Sequence, residues 1–227
     1  LTHALKERPN PPRDCHWATF VRNHDELTLD KLTEPERQEV FAAFGPDEDM
    51  QLYGRGLRRR LPSMLGGDLG WIKMVYSLLF SLPGTPVLFY GEEVGMTEDL
   101  SLEGRLAVRT PMWWDAVAEQ RGDPDSLLAW VRLLVERYRE CPELAWGSFS
   151  TIDTAAPSVL AHRCEIDGGV VVAVHNFAGE DVSVEVPKVE GVLTDLLVDG
   201  TVEPGKDGTA VVELGPYGCR WFRQVSR

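Results

Sequence analysis

The sequence predicts an α/β region followed by an all-β one, from three observations. Two short apolar runs, Trp17 to Val21 and Pro86 to Tyr90, enclose helical segments. From Trp146 onward the pattern becomes one of short strands between tight turns. The composition also shifts soon after Leu144, so we expect an α/β domain over residues 1–144 and a small antiparallel β-sandwich over residues 145–227.

Residues 1–13, with Pro9, Pro11 and Pro12, read as an extended connection without a helix. Trp17 to Val21 is aromatic and β-branched, as suits a strand buried on both faces of a parallel sheet. Asn23, His24 and Asp25 then fall just past its carboxyl end, where parallel α/β sheets place their chemistry. An amide, an imidazole and a carboxylate there can hold a polar ligand and stabilise developing positive charge. The same tripeptide fits a plain cap by Asn23 or Asp25 with His24 as a packing residue.

Thr33 and Glu36 form a capping-box pattern for a helix to Phe44, which Gly45-Pro46 ends. Arg55, Arg58, Arg59 and Arg60 are a basic cluster expected to pair with local acids on a solvated face, a sugar-binding role for any one of them being the lesser reading. Asp68 is placed to cap a helix from Leu69 to Leu82 that is apolar on nearly all sides and so should be buried. Glu92 and Glu93 follow the second apolar run and read as acceptors for backbone amides that order the loop. Residues 97–122 read as a long loop whose Arg105, Arg109, Met112, Trp113 and Trp114 suit a sugar, with its apolar face and rim of hydroxyls. They equally suit a loop folded onto a rim. Asp123-Pro124 supplies a cap and a first-turn proline for a helix carrying Leu127, Trp130, Val131, Leu134 and Tyr138. Strands are expected at Val159 to Cys164, Val170 to Asn176, Val182 to Val186, Val192 to Leu197, Thr209 to Leu214 and Cys219 to Phe222.

A net charge of -13 argues against nucleic acid, because phosphate contacts need clustered cations. Cys15, Cys141, Cys164 and Cys219 are scattered without a C-x-x-C pair, so we expect them reduced and buried in a reducing, cytoplasmic compartment. The longest apolar stretch, Trp71 to Leu82, contains Lys73 and stops at Pro83, too short for a membrane span. No signal-peptide pattern opens the chain. His3 and His16 lie too loosely around His24 to form a metal site.

Phe20-Val21-Arg22-Asn23-His24-Asp25-Glu26 resembles the fourth short signature of the α-amylase family of glycoside hydrolases and transglycosidases. Pro83-Gly84-Thr85-Pro86-Val87-Leu88-Phe89-Tyr90-Gly91-Glu92-Glu93-Val94-Gly95-Met96 is similar to the family segment around the last barrel strand. Val108-Arg109-Thr110-Pro111-Met112-Trp113-Trp114 resembles the R-x-P-M-x-W element of the trehalose synthase and α-glucosidase subgroup, with Trp113 where the family usually has Gln. The three occur in family order.

This resemblance implies that residues 1–144 are the last two β/α units of a (β/α)8 TIM barrel whose first six strands lie upstream, the chain being a carboxyl-terminal portion. It implies an enzyme that cleaves α-glucosidic bonds with retention, and a partner or substrate that is an α-linked glucosyl oligosaccharide or disaccharide. Asp25 matches the family's transition-state stabiliser and His24 its substrate-contacting histidine; Asn23 and Arg109 are the further substrate-binding candidates. No segment matches the motifs that carry the nucleophile and the acid/base, so little or no turnover is expected from the chain alone. A non-catalytic relative that binds carbohydrate or protein is the alternative. Calcium occurs in many relatives, and no oxygen-ligand cluster with recognisable spacing is visible here.

Overall fold

A computed structural model describes residues 1–9, 11–12 and 15–225. In chain order its elements are α1 (Thr2–Glu7), β1 (Ala18–Thr19), β2 (Leu27–Thr28), α2 (Glu34–Phe44), β3 (Gln51–Leu52), β4 (Gly56–Leu57), α3 (Leu61–Met64), α4 (Leu69–Ser81), β5 (Thr85–Pro86), α5 (Trp114–Gln120), α6 (Leu127–Glu140) and α7 (Pro142–Trp146). The strands β6 (Ser148–Ile152), β7 (Val159–Ile166), β8 (Gly169–Asn176), β9 (Val182–Val186), β10 (Val192–Asp195), β11 (Thr201–Val202), β12 (Ala210–Leu214) and β13 (Cys219–Val225) complete it. The chain packs as two compact units, one of Leu1–Thr19, Lys73–Pro86 and Arg132–Arg227, the other of Phe20–Ile72 and Val87–Val131.

The first unit contains the antiparallel β-sandwich that the turn spacing predicts. One sheet runs β11-β10-β13-β8-β7-β6 and the other pairs β12 with β9. Their facing sides meet in a core of Val170, Val172 and Val174 from β8, Val184 and Val186 from β9, Val212 and Leu214 from β12, and Phe222 from β13. Strands β9 and β12 alternate buried and exposed residues, as one-sided strands should. The central strand β8 is buried on both faces, which is why its sequence is a continuous apolar run. On the face away from that core, His175 Nε2 lies 3.0 Å from the Ser77 hydroxyl of α4, which also accepts the Trp221 indole N–H at 2.9 Å. His162 Nε2 donates to the Ser81 carbonyl at 2.9 Å. Both imidazoles are fully buried, with parallel rings 5.9 Å apart. Burial holds His162 down at about 4, and burial together with the neighbouring ring holds His175 well below the ordinary histidine value.

In the same unit β1 and β5 pair in parallel, Ala18 opposite Thr85. These strands are shorter than expected and not buried on both faces, since Ala18 and Thr85 are exposed. A parallel strand is buried only when other strands and helices flank it, and among the described residues these two pair only with each other. The chain enters β5 through Gly84 (φ 123°), where a side chain would run into the Trp17 carbonyl oxygen that accepts the Thr85 N–H. The start of the chain is also corrected: Thr2–Glu7 is helical, because the prolines lie beyond it. Cys141 and Cys164 are buried, with thiols pushed up to about 11 and about 12 by desolvation, whereas Cys15 is exposed, contrary to expectation.

The second unit is built from shorter pieces. Helix α2 has the expected capping box, the Glu36 carboxylate accepting the Thr33 N–H at 2.8 Å and its hydroxyl at 2.7 Å. Its Phe41 packs with Leu29 and Leu57 beside the small antiparallel sheet β2-β4-β3. Asp68 caps α4 through the Trp71 N–H at 3.0 Å. Helix α6 begins later than Asp123-Pro124 implies: Ser126 caps it, its Oγ accepting the Ala129 N–H, while Asp123 closes the preceding turn through the Asp125 N–H. No helix among the described residues is long and apolar enough to cross a membrane.

Candidate active site

All four sequence-predicted site residues lie in the second unit. Past β1 the chain turns at Asn23, whose carboxamide oxygen accepts the Asp25 N–H at 2.8 Å. This turn spends Asn23 on shaping the backbone. The imidazole of His24 is 64% exposed, so it is not the packing residue that the tripeptide also allowed.

The Asp25 carboxylate is 38% exposed and receives two guanidinium groups on Oδ1, Arg109 Nη2 at 2.8 Å and Arg105 Nη1 at 3.1 Å. Arg109 Nε also donates to the His24 carbonyl at 2.7 Å, so one guanidinium spans backbone and side chain of adjacent residues. His24 Nε2 stands 3.8 Å from the same carboxylate oxygen. Asp25, His24 and Arg109 are therefore brought together directly, and Asn23 through the turn it sets.

Three glutamates around this turn are consumed by structure. Glu26, its side chain 4% exposed, binds Arg105 Nε at 2.7 Å and Arg55 Nη2 at 3.5 Å. The Arg105 hydrogen bond holds its carboxyl below the usual range, and Glu26 in turn raises Arg105. Glu98 accepts from Arg59 Nε at 2.9 Å and from the Arg60 N–H at 2.8 Å. Glu92 is buried and its Oε2 accepts the Phe89 N–H at 2.7 Å, which fits the loop-ordering role read from sequence. Its Oε1 has no partner among the described residues, and burial pushes the group up to about 7 despite attraction from Arg60 and Arg22.

The basic cluster departs from the solvated face expected of it. Arg55 and Arg59 do pair with acids, but Arg58 donates to the carbonyls of Asp49, Leu100 and Leu102, and Arg60 is only 2% exposed. Arg60 lies over the rings of Phe89 and Tyr90 at 4.6 and 5.1 Å and donates to the carbonyls of Tyr90 and Val108 at 2.9 and 2.8 Å. Arg22, 3% exposed, donates from Nε to the Arg59 carbonyl at 2.7 Å and from Nη2 to the Asp25 carbonyl at 3.0 Å. Desolvation lowers its guanidinium to about 10. Sequence reasoning missed both as parts of the site: Arg22 directly follows the apolar run and Arg60 directly precedes Leu61-Pro62, and neither position carries a mark of burial.

A groove of about 840 Å³ in this unit is lined by Glu98, Asp99, Met112, Trp113, Trp114 and Glu119 among others, with Trp113 and Trp114 42% and 72% exposed. Among the described residues no group of three or more His, Cys, Asp or Glu is arranged to hold a metal ion.

Residues 168–223 match a family described as the sucrose hydrolase-like C-terminal domain. Over 260 residues the chain is 30% identical to a trehalose synthase from Pimelobacter sp. (strain R48), a match that takes in 98% of this chain and 45% of that protein. It is 32% identical over 251 residues to a trehalose synthase from Thermus thermophilus, covering 96% of this chain and 26% of the relative. The chain thus spans less than half the length of these relatives. Its fold is similar to that of an α-amylase from Geobacillus thermoleovorans solved with acarbose, with a TM-score of 0.65 at 17% identity, over 99% of this chain and 42% of that one.

Proposed function

We propose that this chain, which belongs to the α-amylase family of glycoside hydrolases and transglycosidases, supplies part of the active site of a retaining, trehalose synthase-like enzyme acting on α-glucosidic bonds. The observation that carries this reading is the exposed Asp25 carboxylate, held on one oxygen by Arg105 and Arg109 while Arg109 also grips the His24 carbonyl. Asp25 stabilises the positive charge that develops on the sugar as the bond breaks. His24, Asn23 and Arg109 contact or frame the α-linked glucosyl oligosaccharide or disaccharide bound beside it.

Retention needs a nucleophilic carboxylate and an acid/base carboxylate flanking the bond. Glu26, Glu92 and Glu98 cannot serve, since each is buried or spent on guanidinium and amide donors. The other two carboxylates come from the upstream part of the same barrel, and the isolated chain has little or no turnover. We place the barrel-like domain at residues 1–144 and the β-sandwich at 145–227, and the enzyme in the cytoplasm.

The test is α-glucosidase and maltose-to-trehalose turnover by the chain alone and mixed with the upstream part of its reading frame, wild type against Asp25→Asn. Activity only in the mixture, abolished by Asp25→Asn, is the expected result; activity from the chain alone overturns the missing-carboxylate argument. The exposed indoles of Trp113 and Trp114 beside carboxylates favour a second reading, a sugar-binding module without turnover. Oligosaccharide binding with no activity in either preparation would favour it.

A further inference from the structure

The geometry points to Arg22 and Arg60 as positioning residues that fix the two halves of the Asp25–Arg109 ion pair from beneath, through backbone carbonyls. This rests on the proposed role of Asp25 and extends it to two residues that touch neither sugar nor Asp25 side chain.

Arg22 donates to the carbonyl of Asp25 itself, and its other donor is anchored on the Arg59 carbonyl. Arg60 follows Arg59 directly and donates through Nε and Nη2 to the carbonyl of Val108, the residue before Arg109. Its Nη1 takes the Tyr90 carbonyl, and the Tyr90 hydroxyl donates to the carbonyl of Thr110, the residue after Arg109, at 2.7 Å. Arg109 is therefore held on both sides along the chain, and Asp25 is held by its own carbonyl. Both residues are buried, Arg22 3% and Arg60 2% exposed. Burying a cation is costly, and here it is offset by hydrogen bonds to backbone carbonyls in segments outside the strands. A planar fork reaches two carbonyls at fixed spacing, which a lysine ammonium cannot reproduce. The consequence is an ion pair whose geometry is set before any ligand arrives.

The experiment uses the full chain and follows the Arg109 Nε–H by proton–nitrogen NMR, the resonance being identified by its loss in Arg109→Lys. Arg22→Lys and Arg60→Lys should each speed its solvent exchange by roughly tenfold or more, the factor expected when a charge-assisted hydrogen bond that fixes its surroundings is lost. Phe41→Leu, in the apolar cluster of the same unit, serves as a control that lowers melting temperature without touching the frame. Unchanged exchange in both lysine variants, or equal acceleration in Phe41→Leu, overturns the proposal. Should the lysine variants unfold, the wild-type chain decides: the Nε–H of Arg22 and of Arg60, each donated to a backbone carbonyl, should exchange at least as slowly as that of Arg109, and faster exchange at both refutes the frame. In the reconstituted enzyme the same variants should lower kcat by roughly tenfold with KM within about twofold. If wild type shows no turnover in any mixture, the functional reading fails while the exchange result still judges the frame.

Discussion

Replacing His162 by Gln should remove a specific part of the acid sensitivity of the β-sandwich. His162 is fully buried, its Nε2–H donated to the Ser81 carbonyl at 2.9 Å and its Nδ1 without a partner among the described residues. Burial lowers its pKa from 6.5 to about 4. A histidine depressed in the fold is neutral there and protonates first in the unfolded chain. Its stabilising contribution is thus complete above 6.5 and is lost as pH falls toward 4. At 1.36 kcal/mol per unit the loss is about 2 kcal/mol near pH 5 and about 3 kcal/mol below pH 4. Gln keeps an N–H donor for the Ser81 carbonyl and does not titrate. Urea unfolding of both proteins at several pH values between about 5 and 8 reads the difference. The stability gap between wild type and His162→Gln should move by about 2 kcal/mol in favour of the variant as pH falls from about 7 to 5. His175, stacked 5.9 Å away and depressed in the same direction, should leave a residual slope in the variant. A gap independent of pH would refute the reasoning, because it would mean that His162 is not held neutral by the fold.

Glu92→Gln should behave with the opposite sign. The folded-state value of about 7 lies above the ordinary 4.5, so the proton on Glu92 stabilises the fold below 4.5 and that contribution is lost as pH rises through 7. The variant should be more stable than wild type by about 3 kcal/mol near pH 8 and close to it near pH 4, measured by the same unfolding titrations. A variant less stable than wild type near pH 8 would mean that the ionised carboxylate is the preferred counter-charge of Arg22 and Arg60. Ser77→Ala removes the hydroxyl shared by Trp221 and His175 and should cost about 2–3 kcal/mol, because it orphans two buried polar groups at once. A loss under about 1 kcal/mol by denaturant unfolding would indicate that water or another group replaces the hydroxyl.

Features set by neighbours in sequence were legible from sequence. The Thr33–Glu36 capping box, the Asp68 cap and the strand positions of β7, β8, β9 and β12 depend on local spacing, and the structure contains them. Features set by distant packing were not. Helix α6 starts at Leu127 because Ser126 rather than Asp123 faces its first turn, and both residues are good caps in isolation. Burial of Trp17 to Val21 was inferred from apolar content, yet Trp17 and Phe20 are 39% and 49% exposed, since burial depends on what covers a strand. Short motifs single out Asp25, His24 and Arg109, and the structure brings these three together. Arg22 and Arg60 were not legible, because an arginine that spends its donors on carbonyls is identical in sequence to one that faces water.

The division of labour among the acids is what makes the second unit read as part of a site. Two oxygens of Glu26 and two of Glu98 are committed to guanidinium and amide donors, and Glu92 is sealed with one oxygen bare. Asp25 alone among these four keeps a side chain more than a third exposed. Two guanidinium groups on one of its oxygens withdraw electron density from the carboxylate, which weakens it as a nucleophile while preserving its charge as a field source. A charge held in place without being used for bonding is suited to an oxocarbenium-like transition state, where attraction must grow as the bond breaks and no covalent bond to this residue forms. The same geometry that suits Asp25 to the proposed role disqualifies it as the nucleophile, so the proposed reaction depends on carboxylates that the Asp25 turn does not contain.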